Sequence, residues 1–152
     1  MLRRALGETL LALHHIGSTA VPGLLAKPVI DILGEARCLD EVDDKAQSLR
    51  SRGYEARGEY GIEGRRYFSK ARIHRDGVGY HVHIFARGSA HIGRHLQFRD
   101  YLIAEPAAAN AYAELKLSLS DSDGCLVSDY AARKAPLVER IERHDDLLAR
   151  VH

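Results

Sequence analysis

No tryptophan occurs in the 152 residues, and aromatic residues make up only 7%. A surface that holds single-stranded nucleic acid stacks successive bases on aromatic rings, so this composition gives such a partner little support. Lys and Arg total 22 against 21 Asp and Glu, a formal net charge of +1. That balance supplies no global field for nucleic acid or anionic lipid, and binding either would require a local patch. The two cysteines, Cys38 and Cys125, stand far apart without the spacing of a metal knuckle or a disulfide framework. They read as reduced thiols of a cytoplasmic protein. No apolar run approaches the roughly 18 residues that a membrane-spanning helix needs, so no membrane is expected as a partner. The start, Met1-Leu-Arg-Arg, lacks the apolar core and cleavage site of a secretory signal. With 45% hydrophobic and 28% charged residues, what remains has the texture of one ordinary globular domain covering 1–152.

Leu2, Leu6, Leu10 and Leu13 recur at helical spacing and predict an amphipathic helix over the first dozen residues. His14 to Thr19 reads as a short strand ending in small residues, and Val21-Pro-Gly begins a stretch of turn chemistry. Val29-Ile-Asp-Ile-Leu is a β-branched run of the kind found in buried strands. Asp40 is placed to cap a helix that carries Val42, Ala46 and Leu49 on one face and stops at Gly53. Segments 54–60, 66–72 and 79–86 alternate as strands and, joined by short turns, should pair antiparallel. From Ala90 the period is helical: about 91–104, then a helix opened by Pro106 with Ala108, Tyr112, Leu115 and Leu119 on one face. A last helix from about Ser128 contains Pro136, which should kink or restart it. The fold class is α/β with a helical C-terminal third.

Three constellations carry chemistry. Gly17-Ser18 after a strand lets backbone amides approach a phosphate closely, although Gly-Ser alone is also simply a turn. Asp31, alone in its apolar strand, is costly to bury unless paired, hydrogen-bonded or on a metal. His81 and His83 are two apart on a strand and so share a face, either as ligands or as rings packed beneath helices. With Asp31 they would make a two-histidine, one-carboxylate set suited to Zn, Mn or Fe. The third is a basic stretch from Arg52 to Arg75, in which Arg66, Phe68 and Lys70 share one face while Arg65, Tyr67 and Ser69 share the other. Either face can present cations to phosphate, or be a solvated surface.

Several ordered blocks then carry a resemblance. These are 15–33 with its His-Ile-Gly-Ser-Thr start, 53–70, His81-Val-His-Ile-Phe, 94–102, Ala113-Glu-Leu-Lys and Tyr130-Ala-Ala-Arg-Lys. Together the blocks resemble the GrpB family, named for a glutamate-rich protein and placed in the nucleotidyltransferase superfamily. The resemblance implies a mixed β-sheet flanked by helices. It matches Gly17, Ser18 and Asp31 to the superfamily's site and adds Lys134, in a family block, to Lys27, Arg66 and Lys70 as candidate charge clamps on phosphate. A similar domain follows dephospho-CoA kinase in some bacterial polypeptides, which makes that kinase an expected protein partner. The sequence departs from the superfamily pattern at Leu33, where active transferases carry a second carboxylate, and on the neighbouring strand, where His81 and His83 replace a third. Tyr80 stands where a His is common, the segment before His15 is shorter than the family's, and Pro136 interrupts a helix.

Two main expectations follow. One is a transferase that moves a nucleotidyl or phosphoryl group, with one divalent metal (Mg, Mn or Zn) on Asp31, His81 and His83. The other is a catalytically degenerate module that binds a nucleotide, a CoA-like ligand or a partner protein; a metal-binding regulator is the third.

Overall fold

The computed structural model describes residues 1–24, 29–74 and 77–120, with side chains up to Glu114. The expected last helix, with Lys134 and Pro136, and the clamp Lys27 lie outside the described residues. Five strands form one mixed sheet: β1 Leu10–Ile16, β2 Val29–Ala36, β3 Glu55–Ala56, β4 Arg65–Lys70 and β5 Gly79–Ala86, in the order β1-β2-β5-β4-β3. Helices α1 Leu2–Leu6, α2 Leu39–Asp44, α3 Ala46–Arg50, α4 Ala90–Ala104 and α5 Pro106–Ser120 accompany it. The chain separates into two compact units, and the division falls within α4.

The predicted N-terminal helix is shorter than its leucine spacing suggests. Gly7 takes φ +59 and ends α1 after five residues, and Leu10 and Leu13 join β1 instead. Pairing with β2 overrides the helical period there, because a strand at this edge satisfies its backbone along β2. The helix expected from Asp40 also differs. Cys38 takes the cap position, and the helix breaks at Lys45, whose Nζ donates to the Leu6 carbonyl at 2.8 Å. The antiparallel pairing of β3, β4 and β5 matches expectation, as does Pro106 at the start of α5.

Sheet alternation sorts the side chains of the first unit into two layers. Phe68, Val82 and Ile84 face Leu2 and Leu6 of α1, Val42 of α2 and Leu49 of α3 in one core cluster. Leu6, Val42, Leu49, Val82 and Ile84 are wholly buried. Each contributes about 1.5–3 kcal/mol relative to exposure, so this layer anchors the sheet. In the second unit Val21, Leu102, Ala109 and Tyr112 form a separate cluster, with the Phe98 and Tyr112 rings edge to face at 5.3 Å.

Candidate functional site

Parallel pairing of β2 with β5 sets Asp31 opposite His81 and Leu33 opposite His83. Antiparallel pairing of β4 with β5 sets Ser69 opposite His81 and Tyr67 opposite His83. Side chains opposite one another share a face, so Asp31, His81, His83, Tyr67 and Ser69 all stand on the layer away from the main core. There His81 Nδ1 and His83 Nε2 each lie 3.5 Å from Asp31 Oδ1. Gly17 closes the other side of the carboxylate. A Cβ on Gly17 would lie 2.6 Å from Asp31 Oδ2 and 3.0 Å from Asp31 Cβ, and the residue adopts φ +74. Only glycine meets both demands without strain. Ser18, buried, opens a short 3-10 turn immediately after it. Gly17, Ser18, Asp31, His81 and His83 are therefore brought together as the sequence suggested.

The sequence reading missed Arg65 as a site residue. It is buried on β4, and its guanidinium lies over the Tyr67 ring at 5.0 Å. Arg65 Nε donates to the Glu59 carbonyl at 3.1 Å, Nη2 to the Tyr60 carbonyl at 2.7 Å, and Nη1 faces His83 Nδ1 at 3.3 Å. A guanidinium only donates, so Nδ1 accepts and the neutral His83 ring carries its proton on Nε2, towards Asp31. Burial pushes the Arg65 guanidinium down from its ordinary range, partly offset by Tyr67 and Tyr60. The available signal was strand parity: Arg65 alternates with Tyr67 and Ser69.

Arg66 has the opposite parity and lies on the other layer. Its guanidinium grips both oxygens of Asp43, at 2.7 and 3.0 Å, which raises its pKa further. It is thus not among the groups gathered about Asp31. Lys70 shares the parity of Arg66, and its Nζ lies over the Tyr54 ring at 5.4 Å and 4.0 Å from Met1 Sδ. It lines a cleft of about 410 Å³ together with Gly53, Glu55, Arg57, Tyr60, Tyr67 and His81, among others.

The model of the GrpB protein family matches residues 1–144. The chain belongs to the GrpB family. A solved structure of the conserved protein GrpB from Enterococcus faecalis superposes with a TM-score of 0.80 at 39% identity, over 94% of this chain and 84% of that one. The UPF0157 protein YqkA of Bacillus subtilis (strain 168) is 39% identical over 143 residues. This match covers 94% of the present chain but 41% of YqkA, so the chain spans less than half of that relative. A dephospho-CoA kinase of Mycobacterium bovis is 31% identical over 157 residues, with 89% of this chain and 39% of the kinase aligned.

In this GrpB-family chain the donors expected to hold a metal meet at one carboxylate oxygen, with both imidazole nitrogens 3.5 Å from Asp31 Oδ1. Among the described residues, no three His, Cys, Asp or Glu side chains are arranged to bind a metal ion. Among the same residues, no helix is long and apolar enough to cross a membrane.

Proposed function

We propose that this GrpB-family chain binds a phosphorylated small molecule or nucleotide in the cleft bordered by His81, the neighbour of Asp31, without turnover of its own. The observation that supports this most is Leu33. It follows Asp31 on the same face, at the position where the superfamily's active members carry a second acid, and it is wholly buried. Two-metal phosphoryl transfer relies on several carboxylates to hold and neutralise the ions, and an apolar core residue supplies none. Arg57, Lys70 and His81 around the cleft give an anionic ligand its charge complement. A volume of about 410 Å³ falls within the span of small-molecule sites. The likeness to part of a dephospho-CoA kinase supports a CoA-like ligand, or the kinase itself as a protein partner.

The convergence of Asp31, His81 and His83 keeps metal-assisted transfer as the second reading. Thermal unfolding with ATP, CoA and inorganic phosphate separates the two. A ligand that binds only the native state at a hundredfold excess over Kd should add about 2.7 kcal/mol of stability. That gain should shrink in His81→Ala and Lys70→Ala and persist in Arg66→Ala. If none of the three ligands stabilises the protein, the binding reading is wrong. Turnover of a labelled nucleoside triphosphate that needs Mn or Zn and is lost in Asp31→Asn would replace it with transferase chemistry.

A further inference from the structure

Residues 58–64 form a turn between β3 and β4 in which Gly58, Gly61 and Gly64 all take positive φ. Tyr60 does so too, at φ 48, and among the described residues it is the only non-glycine with a positive φ. A bulky side chain in that region costs free energy and persists where surrounding contacts hold it. Here the holding contacts are visible: Arg65 takes the carbonyls of both Glu59 and Tyr60, and so fixes the peptide groups on either side of the strained residue. The result is a ring set in place at the cleft. Tyr60 stacks on Tyr67 with centroids 5.2 Å apart and planes at 23°, yet 59% of the residue is exposed. An aromatic residue held in a strained conformation and left largely in water gains nothing for the core from its position.

Its neighbours have charges suited to an anion. The Arg57 guanidinium lies 5.4 Å from the Tyr60 centroid and is tied to Ser69 Oγ at 3.0 Å and to Glu55. Lys70 borders the same cleft, with its ammonium over the Tyr54 ring at 5.4 Å and 4.0 Å from Met1 Sδ. Tyr67, beneath Tyr60, also meets the rings of His81 and His83 at 5.7 and 5.1 Å, so the stacked pair runs from the cleft to Asp31's imidazoles. We infer that the Tyr60 ring is a stacking platform for the base of a nucleotide whose phosphate reaches Arg57 and His81. This inference rests on the phosphorylated-ligand reading above and narrows it to nucleotides. A flat π-face gains from a held aromatic ring, and the cations beside it supply the charge partner.

Calorimetric titration with two probes tests it. Ribose 5-phosphate reads the phosphate seat alone, while adenosine 5′-monophosphate adds the base. The wild type should bind the nucleotide about tenfold or more tighter than the sugar phosphate, the gain expected from one base–aromatic stack. That gap should collapse in Tyr60→Ala and remain in Tyr60→Phe. Tyr60→Gly removes the ring while favouring the left-handed backbone, so its collapse cannot be blamed on a misfolded turn. Equal affinity for the two probes in the wild type, or a gap that survives in Tyr60→Gly, overturns the platform and leaves the phosphate reading standing. If neither probe binds, both readings fall.

Discussion

Replacing Gly17 with alanine probes the carboxylate site more directly than any other single change. Two costs combine. At φ +74 an added Cβ meets the backbone penalty of the left-handed region, about 1–2 kcal/mol. The same Cβ would also lie 2.6 Å from Asp31 Oδ2 and 3.0 Å from Asp31 Cβ. The carboxylate oxygen can swing aside, but the Cβ can retreat only if β2 moves, and overpacking of this kind costs about 1–3 kcal/mol. The sum is about 2–5 kcal/mol, which for a domain of this size lowers Tm by roughly 4–20 °C. Gly58 provides the control. Its φ is +61 and no atom lies within 4 Å of its virtual Cβ, so Gly58→Ala carries the backbone penalty without the collision. Denaturant unfolding followed by circular dichroism should therefore show Gly17→Ala less stable than Gly58→Ala by the overpacking cost. If the two variants agree within about 0.5 kcal/mol, the close approach of Gly17 to Asp31 is refuted.

Two further predictions concern β4. Arg65→Lys keeps the charge but loses the planar fork that serves Glu59, Tyr60 and His83 together, and it should cost about 1–3 kcal/mol. In nitrogen-15 spectra the His83 proton, held on Nε2 in the wild type, should spread over both ring nitrogens in this variant; an unchanged tautomer would count against the Arg65 contact. Burial, and then the charge of Asp31, push the Tyr67 phenol above its ordinary range. The unfolded chain then releases that proton first, so stability is unaffected below about pH 10 and falls as pH rises beyond it. Tyr67→Phe should flatten this alkaline limb, and an identical slope in both proteins would show that Tyr67 does not contribute to it.

The parts of the fold that sequence made legible were those set by local chemistry. The alternation of 79–86, the Pro106 helix start and the buried trio Val42, Ala46 and Leu49 depend on neighbours a few residues away. Long-range contacts decided the rest. Leu10 and Leu13 fit a helical period, but Gly7 ends the helix and β2 recruits them into the sheet. The basic stretch offers Arg66 and Lys70 as clamps as readily as Arg65, although the parity of both sets is plain. Which parity faces Asp31 depends on β4 lying against β5 in a register that joins Ser69 to His81. Nothing in the local sequence specifies that register. Asp31, His81 and Gly17 were recognisable because each is an unusual residue for its place in an apolar strand or tight turn.

The central position of β5 governs how the protein is made. His83 and Asp31 are 52 positions apart in the chain. At ordinary elongation speeds a ribosome needs on the order of several seconds to cover that distance. Throughout that interval the nascent β2, with Ile32 and Leu33, lacks the strand that will lie along its inner edge. An unpaired apolar strand is open to pairing with other chains, so the newborn protein is most exposed to aggregation until His81-Val-His-Ile-Phe emerges.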